Sequence, residues 1–116
     1  MAKLNSLVSN VAEELSRNTQ SILGDRLRKI ILYGSYARGN YNENSDLDIM
    51  VLADIDEHEY KSFESKIDDV ASELGLDNDI IISVLLNKES LFMSRLSISP
   101  FYRNVLSEGV EIYGTR

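Results

Sequence analysis

The sequence predicts an α/β fold, in the α+β sense: a small mixed sheet of three or four strands with helices mainly on one face. Three observations carry this. Short runs rich in isoleucine, leucine and valine recur at residues 28–33, 47–53 and 79–86, each of the length of one buried strand. Longer segments with apolar residues at helical spacing precede the first run and separate the second from the third. The 116 residues can bury a modest core but leave no room for a separate acceptor-recognition domain, so residues 1–116 are read as one domain.

The first helix covers residues 4–23, where Leu4, Leu7, Val8, Val11, Ala12 and Leu15 make one apolar stripe. Gly24 and Asp25 turn the chain into the first strand, 28–33. Gly34 permits a positive φ or a close backbone approach, and Ser35 is suited to cap a short helix begun by Tyr36, Ala37 and Arg38. A polar loop leads to the second strand, 47–53. A second long helix opens near Asp56, which stands at capping-box spacing from Glu59. Its stripe is Tyr60, Phe63, Ile67, Val70, Ala71 and Leu74, and Gly75 is read as its end. His58, between Glu57 and Glu59, reads as a solvated surface residue. After the turn at Asp77 and Asn78, β-branched residues mark a third strand beginning at Asp79. A helix over 88–96 follows, then Ser99 and Pro100 as cap and first residue of a last helix, 101–107. Gly109 ends it, and 110–113 form a short edge strand. Phe101, Tyr102, Val105 and Leu106 read as core and packing residues rather than as a base-stacking platform, with exposure of some of them to a partner left open.

The chemistry is concentrated in residues 33–51, YGSYARGNYNENSDLDIMV. Side chains at i and i+2 of a strand share a face, so Asp46 and Asp48 project together at the leading end of the second strand. Two carboxylates so close repel one another and raise a pKa. A divalent cation reverses that balance, and magnesium suits the pair because it prefers hard oxygen ligands and takes others from water and phosphates. Alone, such a pair is ordinarily a solvated strand start, and Gly-Ser ordinarily a turn. Their combination is more informative: strand, Gly34-Ser35, ten residues, Asp46-Leu47-Asp48, strand. A helix start offers free N–H groups and partial positive charge to phosphate oxygens. The Ser35 hydroxyl adds a donor and Arg38 a charge-assisted contact. Gly34, Ser35 and Arg38 are therefore candidate nucleotide-binding residues, and Asp46 and Asp48 candidate catalytic metal ligands.

The pattern G-S-x10-D-x-D resembles the signature of the polymerase β-type nucleotidyltransferase superfamily. GSYARG and SDLDIMV are similar to the minimal nucleotidyltransferases of bacteria and archaea, and the resemblance spans nearly the whole chain. It implies the polymerase β-type fold, with Gly34-Ser35 beside Asp46 and Asp48 at one edge of the sheet. It implies transfer of AMP from ATP with two magnesium ions, manganese being the alternative. It also implies a third carboxylate after the second long helix. Asp79 is the match by position, as a further metal ligand or as general base for the acceptor hydroxyl. Relatives often flank this acid with valine or leucine inside the strand, whereas Asp79 follows a polar turn, and Asp77 is its rival. Minimal nucleotidyltransferases commonly pair with small helical HEPN toxins, so the implied acceptor is a tyrosine of such a partner and the implied role that of an antitoxin. Two other readings stay open: a non-catalytic module that occludes its partner, and a transferase for a small molecule, as in the aminoglycoside nucleotidyltransferases, which carry additional domains. Tyr36 and Tyr41 lie in the loop where a base would stack.

Composition narrows the classes. There is no cysteine, which excludes disulfides and thiolate metal sites and suits a reducing cytoplasm. No apolar run reaches the length of a membrane span, and no signal-peptide core is present. A net charge of −7 argues against a basic footprint, so no direct nucleic-acid binding is expected. The same charge complements a basic protein partner.

Overall fold

The most apolar run of the sequence becomes the centre of the sheet. In the computed structural model, which describes residues 6–114, Leu47–Ala53 form the strand β2, with all but Asp48 buried. In chain order the elements are α1 (Ser6–Leu23), β1 (Leu27–Tyr33), α2 (Ser35–Arg38), β2, α3 (Glu57–Asn78), β3 (Ile82–Lys88), α4 (Glu89–Ser94), α5 (Pro100–Glu108) and β4 (Val110–Gly114). The sheet order is β3-β2-β1-β4. Strand β1 is antiparallel to both its neighbours. Strand β3 is parallel to β2, and α3 supplies the long crossover that a parallel pair needs.

Alternation along the strands decides what each face meets. Leu47, Ile49 and Val51 of β2, with Ile30 and Leu32 of β1, pack with Val11, Leu15 and Ile67 of the two long helices. Met50, Leu52 and Ile31 point the other way, onto Phe92 of α4 and Val105 of α5. The long helices thus share one face, as expected, and two short ones form a smaller second layer. Truncating a core side chain such as Ile49 or Leu52 to alanine costs about 2–5 kcal/mol.

Several boundaries differ from the sequence reading for identifiable reasons. Leu4 lies outside the described residues. Leu7 is exposed, because the buried stripe of α1 runs through Val8, Val11, Ala12, Leu15, Thr19 and Leu23. The capping box of Asp56 and Glu59 is present, but α3 does not stop at Gly75. Gly75 is buried where the returning chain crosses it: a Cβ there would meet the Ile80 carbonyl, and the Ile80 N–H donates to the Gly75 carbonyl at 3.0 Å. The helix ends instead at Asp79, in the left-handed region at φ 53°, so β3 begins at Ile82 rather than at Asp79. Helix α4 is shorter than 88–96, whereas α5 starts as expected, with the Ser99 hydroxyl accepting from the Tyr102 N–H at 3.3 Å. Among the described residues no helix is long and apolar enough to cross a membrane.

Candidate active site

The site is built where β1 ends and β2 begins. Their antiparallel register pairs Tyr33 with Asp48, which brings Gly34 against the Asp48 side chain. A Cβ at position 34 would overlap the Asp48 carboxylate. Gly34 also has φ 78° and ψ −156°, a conformation that side-chain-bearing residues avoid. Two separate constraints therefore select glycine here. The N-cap of α2 is Gly34 and not Ser35: the Arg38 N–H donates to the Gly34 carbonyl at 3.1 Å, and Ser35 is the first helical residue. Gly39, at φ 84°, ends the turn.

The loop from Asn40 to Asp46 is held by its own polar groups. The Asn42 N–H donates to the Ser45 hydroxyl at 3.0 Å, and the Asn44 N–H to the Asn42 side-chain oxygen at 2.8 Å. Tyr41 stacks on Tyr36 with ring centroids 4.4 Å apart. Because Tyr36 is only 7% exposed, its ring belongs to the core and is not available to a base.

Asp46 is exposed and Asp48 half-buried. The Asp48 carboxyl is held above its ordinary pKa, first because burial penalises its charge, next because Asp46 repels it; Arg38 pulls the other way. The neighbouring Tyr33 phenol is pushed up to about 12 by burial and by Asp48. Arg38 reaches across to Glu108 of α5 at 3.6 Å. The pair of acids lies at the end of the two central strands rather than at a sheet edge. Asp79 and Asp46 line one cleft of about 700 Å³. Asp77 lines a separate groove against Glu14 and Arg17 of α1. On β3 the residue paired with Asp48 is Ser83, which offers no carboxylate.

A family model described as the nucleotidyltransferase domain matches residues 8–111. The chain belongs to the nucleotidyltransferase domain family. Two proteins of Methanocaldococcus jannaschii, each named "Putative protein adenylyltransferase", are similar to it. One is 42% identical over 88 residues, 76% of this chain and 80% of the relative. The other is 34% identical over 105 residues, 90% of this chain and 98% of the relative. Among solved structures, a chain of a toxin-antitoxin complex with AMP-PNP aligns with a TM-score of 0.54 at 23% identity, covering 90% of this chain and 74% of that one. A chain of a complex between a tri-AMPylated Shewanella oneidensis HEPN toxin and an MNT antitoxin aligns at 0.50 and 20% identity, covering 92% and 73%. At such identities these two likenesses speak for the fold. The resemblance to the minimal nucleotidyltransferases and the polymerase β-type fold holds, and the protein is a nucleotidyltransferase.

Within this nucleotidyltransferase, the only three possible metal-ligating side chains within 4.8 Å of one another, among the described residues, are Asp56, His58 and Glu59. They stand at the start of α3, beyond the far end of β2. Glu59 is already committed there: it accepts from the Asp56 N–H at 3.1 Å and pairs with Arg26. That cluster is the helix cap, and His58 is exposed as expected. Asp46, Asp48 and Asp79 do not form such a three-membered group. Sequence reasoning passed over Phe101, Asn104 and Glu108 as neighbours of the site. The cap at Ser99 and Pro100 signals where α5 starts, but only the pairing of β4 with β1 brings α5 beside Gly34 and Arg38.

Proposed function

We propose that this nucleotidyltransferase moves AMP from ATP to a tyrosine hydroxyl of a HEPN-type toxin and thereby acts as its antitoxin. The observation that carries the reading is the Asp48 carboxylate seated against Gly34, with Asp46 projecting from the same strand end. The pair fits a divalent cation: it offers hard oxygen donors, one of which is kept from ionising freely by burial and by its neighbour. When bound, magnesium or manganese supplies charge neutralisation for the triphosphate and a lowered pKa for the acceptor hydroxyl.

The chain's own groups do the rest. The N–H groups opening α2 and the Ser35 hydroxyl grip phosphate oxygens. Arg38 exchanges Glu108 for the departing phosphates; both partners of that pair are nearly half exposed, so little is lost on breaking it. The acceptor hydroxyl enters from the cleft shared by Asp46 and Asp79. Its oxygen bonds to the α-phosphorus, the bond to the β-phosphate oxygen breaks, and pyrophosphate leaves. Asp79, which lines that cleft outside any three-carboxylate cluster, takes the hydroxyl proton as general base.

A protein acceptor is favoured by the names of the two archaeal relatives and by the contents of the related complexes. It is also favoured by the mouth of the cleft, where Leu76 is 84% and Ile81 69% exposed, apolar flanks that suit a protein surface. The net charge of −7 complements a basic partner. The test is incubation with α-labelled ATP, magnesium and the partner protein, read by intact mass. The expected outcome is AMP increments on the partner, lost with Asp46→Asn. A partner that stays unmodified yet is neutralised equally by wild type and Asp46→Asn would establish occlusion instead.

A further inference from the structure

Two depressions flank the Asp48 site, and their chemistry differs. The larger carries Glu43, Asp46 and Asp79 and, among the described residues, no cation in its lining. The smaller, about 320 Å³, lies between the end of β1 and α5 and is lined by Tyr33, Gly34, Arg38, Phe101, Asn104 and Glu108, among others. We propose that the smaller cleft is the nucleoside subsite, in which the base lies against Phe101 and Asn104 selects adenine. The inference rests on the reading that the Gly34–Asp48 site holds a nucleoside triphosphate, and it adds where the rest of that ligand lies and what chooses it.

Continuity is the first argument. Gly34 and Arg38 belong both to the phosphate end of the site and to this cleft, so one ligand spans the two without leaving the surface. Charge is the second. Three carboxylates in the larger cleft repel a triphosphate, whereas the smaller one presents Arg38. Its volume is the third: it falls at the low end of the roughly 300–1,000 Å³ of ligand pockets, which suits a base with its phosphates outside.

The lining then matches a purine. Phe101, assigned to packing from the sequence, is 44% exposed, and Tyr33 fixes it edge-on at 5.6 Å and 83°. An aromatic ring held in place with open area is a stacking surface for any base. The Asn104 side-chain amide has no hydrogen-bond partner among the described residues. Its adjacent donor and acceptor complement the N7 acceptor and N6 donor of adenine, whereas guanine presents two acceptors on that edge. The Tyr33 ring lines the same cleft and holds Phe101 from behind. Glu108 is the opposing carboxylate in the described lining of the cleft, and its hold on Arg38 at 3.6 Å competes directly with phosphate.

The experiment is calorimetric binding of ATP and of GTP, with magnesium, to the wild type and to Phe101→Ala, Phe101→Leu, Asn104→Leu and Glu108→Gln, with thermal melts confirming folding. Loss of the ring in either Phe101 variant weakens both nucleotides, about tenfold within a range of roughly five- to a hundredfold. Asn104→Leu weakens ATP and leaves GTP unchanged, so the preference for ATP falls about tenfold. Glu108→Gln tightens ATP severalfold. ATP binding unchanged in the Phe101 and Asn104 variants overturns the subsite alone, whereas ATP binding absent in the wild type overturns the triphosphate site and the subsite with it. Failure of the functional reading looks different: no AMP reaches any protein partner, yet the Phe101 and Asn104 variants still shift ATP binding as stated.

Discussion

Replacing Gly34 by alanine adds one methyl group where β1 ends and the Asp48 side chain begins. Two effects follow, and the structure separates them. The backbone at φ 78° and ψ −156° lies in a region that costs a non-glycine residue on the order of 1–3 kcal/mol. The new Cβ would also overlap the Asp48 carboxylate, which must move away from its seat. Gly24 supplies a control for the first effect alone: it has φ 61°, and a methyl group added there would meet nothing within 4 Å. Gly24→Ala therefore carries strain only, about 1–2 kcal/mol. For a domain of this size 1 kcal/mol moves Tm by roughly 4 °C or somewhat more, so both variants should melt several degrees below the wild type. Their activities should diverge. Displacing a reacting group by about 1 Å costs about a hundredfold in rate, so AMP transfer should fall by that factor in Gly34→Ala and stay near wild type in Gly24→Ala. Thermal melts and transfer rates on the same preparations decide it. Near-normal transfer by folded Gly34→Ala, or an equal loss in Gly24→Ala, would refute the argument that glycine is required to seat Asp48.

Asp48→Asn should abolish transfer and stabilise the metal-free protein at neutral pH. The Asp48 pKa is raised in the fold, so its contribution to stability is present below its ordinary value of 3.8 and lost as pH rises through the raised value; melts across pH should show the variant ahead only on the neutral side, and parallel profiles would count against it. Glu59 behaves oppositely, because its hydrogen bond from Arg26 lowers its pKa. Denaturant unfolding should find the wild type more stable than Glu59→Gln above the ordinary value of 4.5, with the gap closing as pH falls through the lowered one. Thr19 is fully buried in α1, and its hydroxyl has no partner among the described residues, so Thr19→Val should stabilise by about 1 kcal/mol, a rise in Tm of roughly 4 °C; an unchanged or lower Tm would show that the hydroxyl is satisfied in solution.

Much of the architecture was legible because it depends on local pattern. The bounds of β2 follow from an apolar run between an acidic start and Asp54, and the start of α3 from the spacing of Asp56 and Glu59. What was not legible depends on how separate segments meet. Gly75 has the composition of a helix stop, but its role is to let Ile80 pass, which only the return of the chain reveals. Asp79 looks like the first residue of a strand because isoleucines follow it, yet it caps α3 in a left-handed conformation. The motif identified Gly34 and Asp48 as members of one site; that they touch follows from the register pairing Tyr33 with Asp48. Phe101 and Asn104 carry no signal of their own, since their neighbours are supplied by the pairing of β4 with β1.

The position of the site also follows from where the second helical layer stops. Leu47, Ile49 and Val51 must face the two long helices, so the alternation of β2 sends Asp48, with Met50 and Leu52, to the opposite face. There Phe92 and Val105 cover Met50 and Leu52. Helices α4 and α5, of 6 and 9 residues, leave the leading end of the strand less covered. Asp48 is therefore caught between burial, which raises its pKa, and an opening to solvent at the strand end, the access that the proposed cation and nucleotide need. Longer helices on this face would bury the carboxylate without access, and a one-residue slip of β2 would turn both acids into the core. The ten-residue interval between Gly34-Ser35 and Asp46 spans one helical turn and a self-bonded loop, and it returns the chain in the register that avoids both.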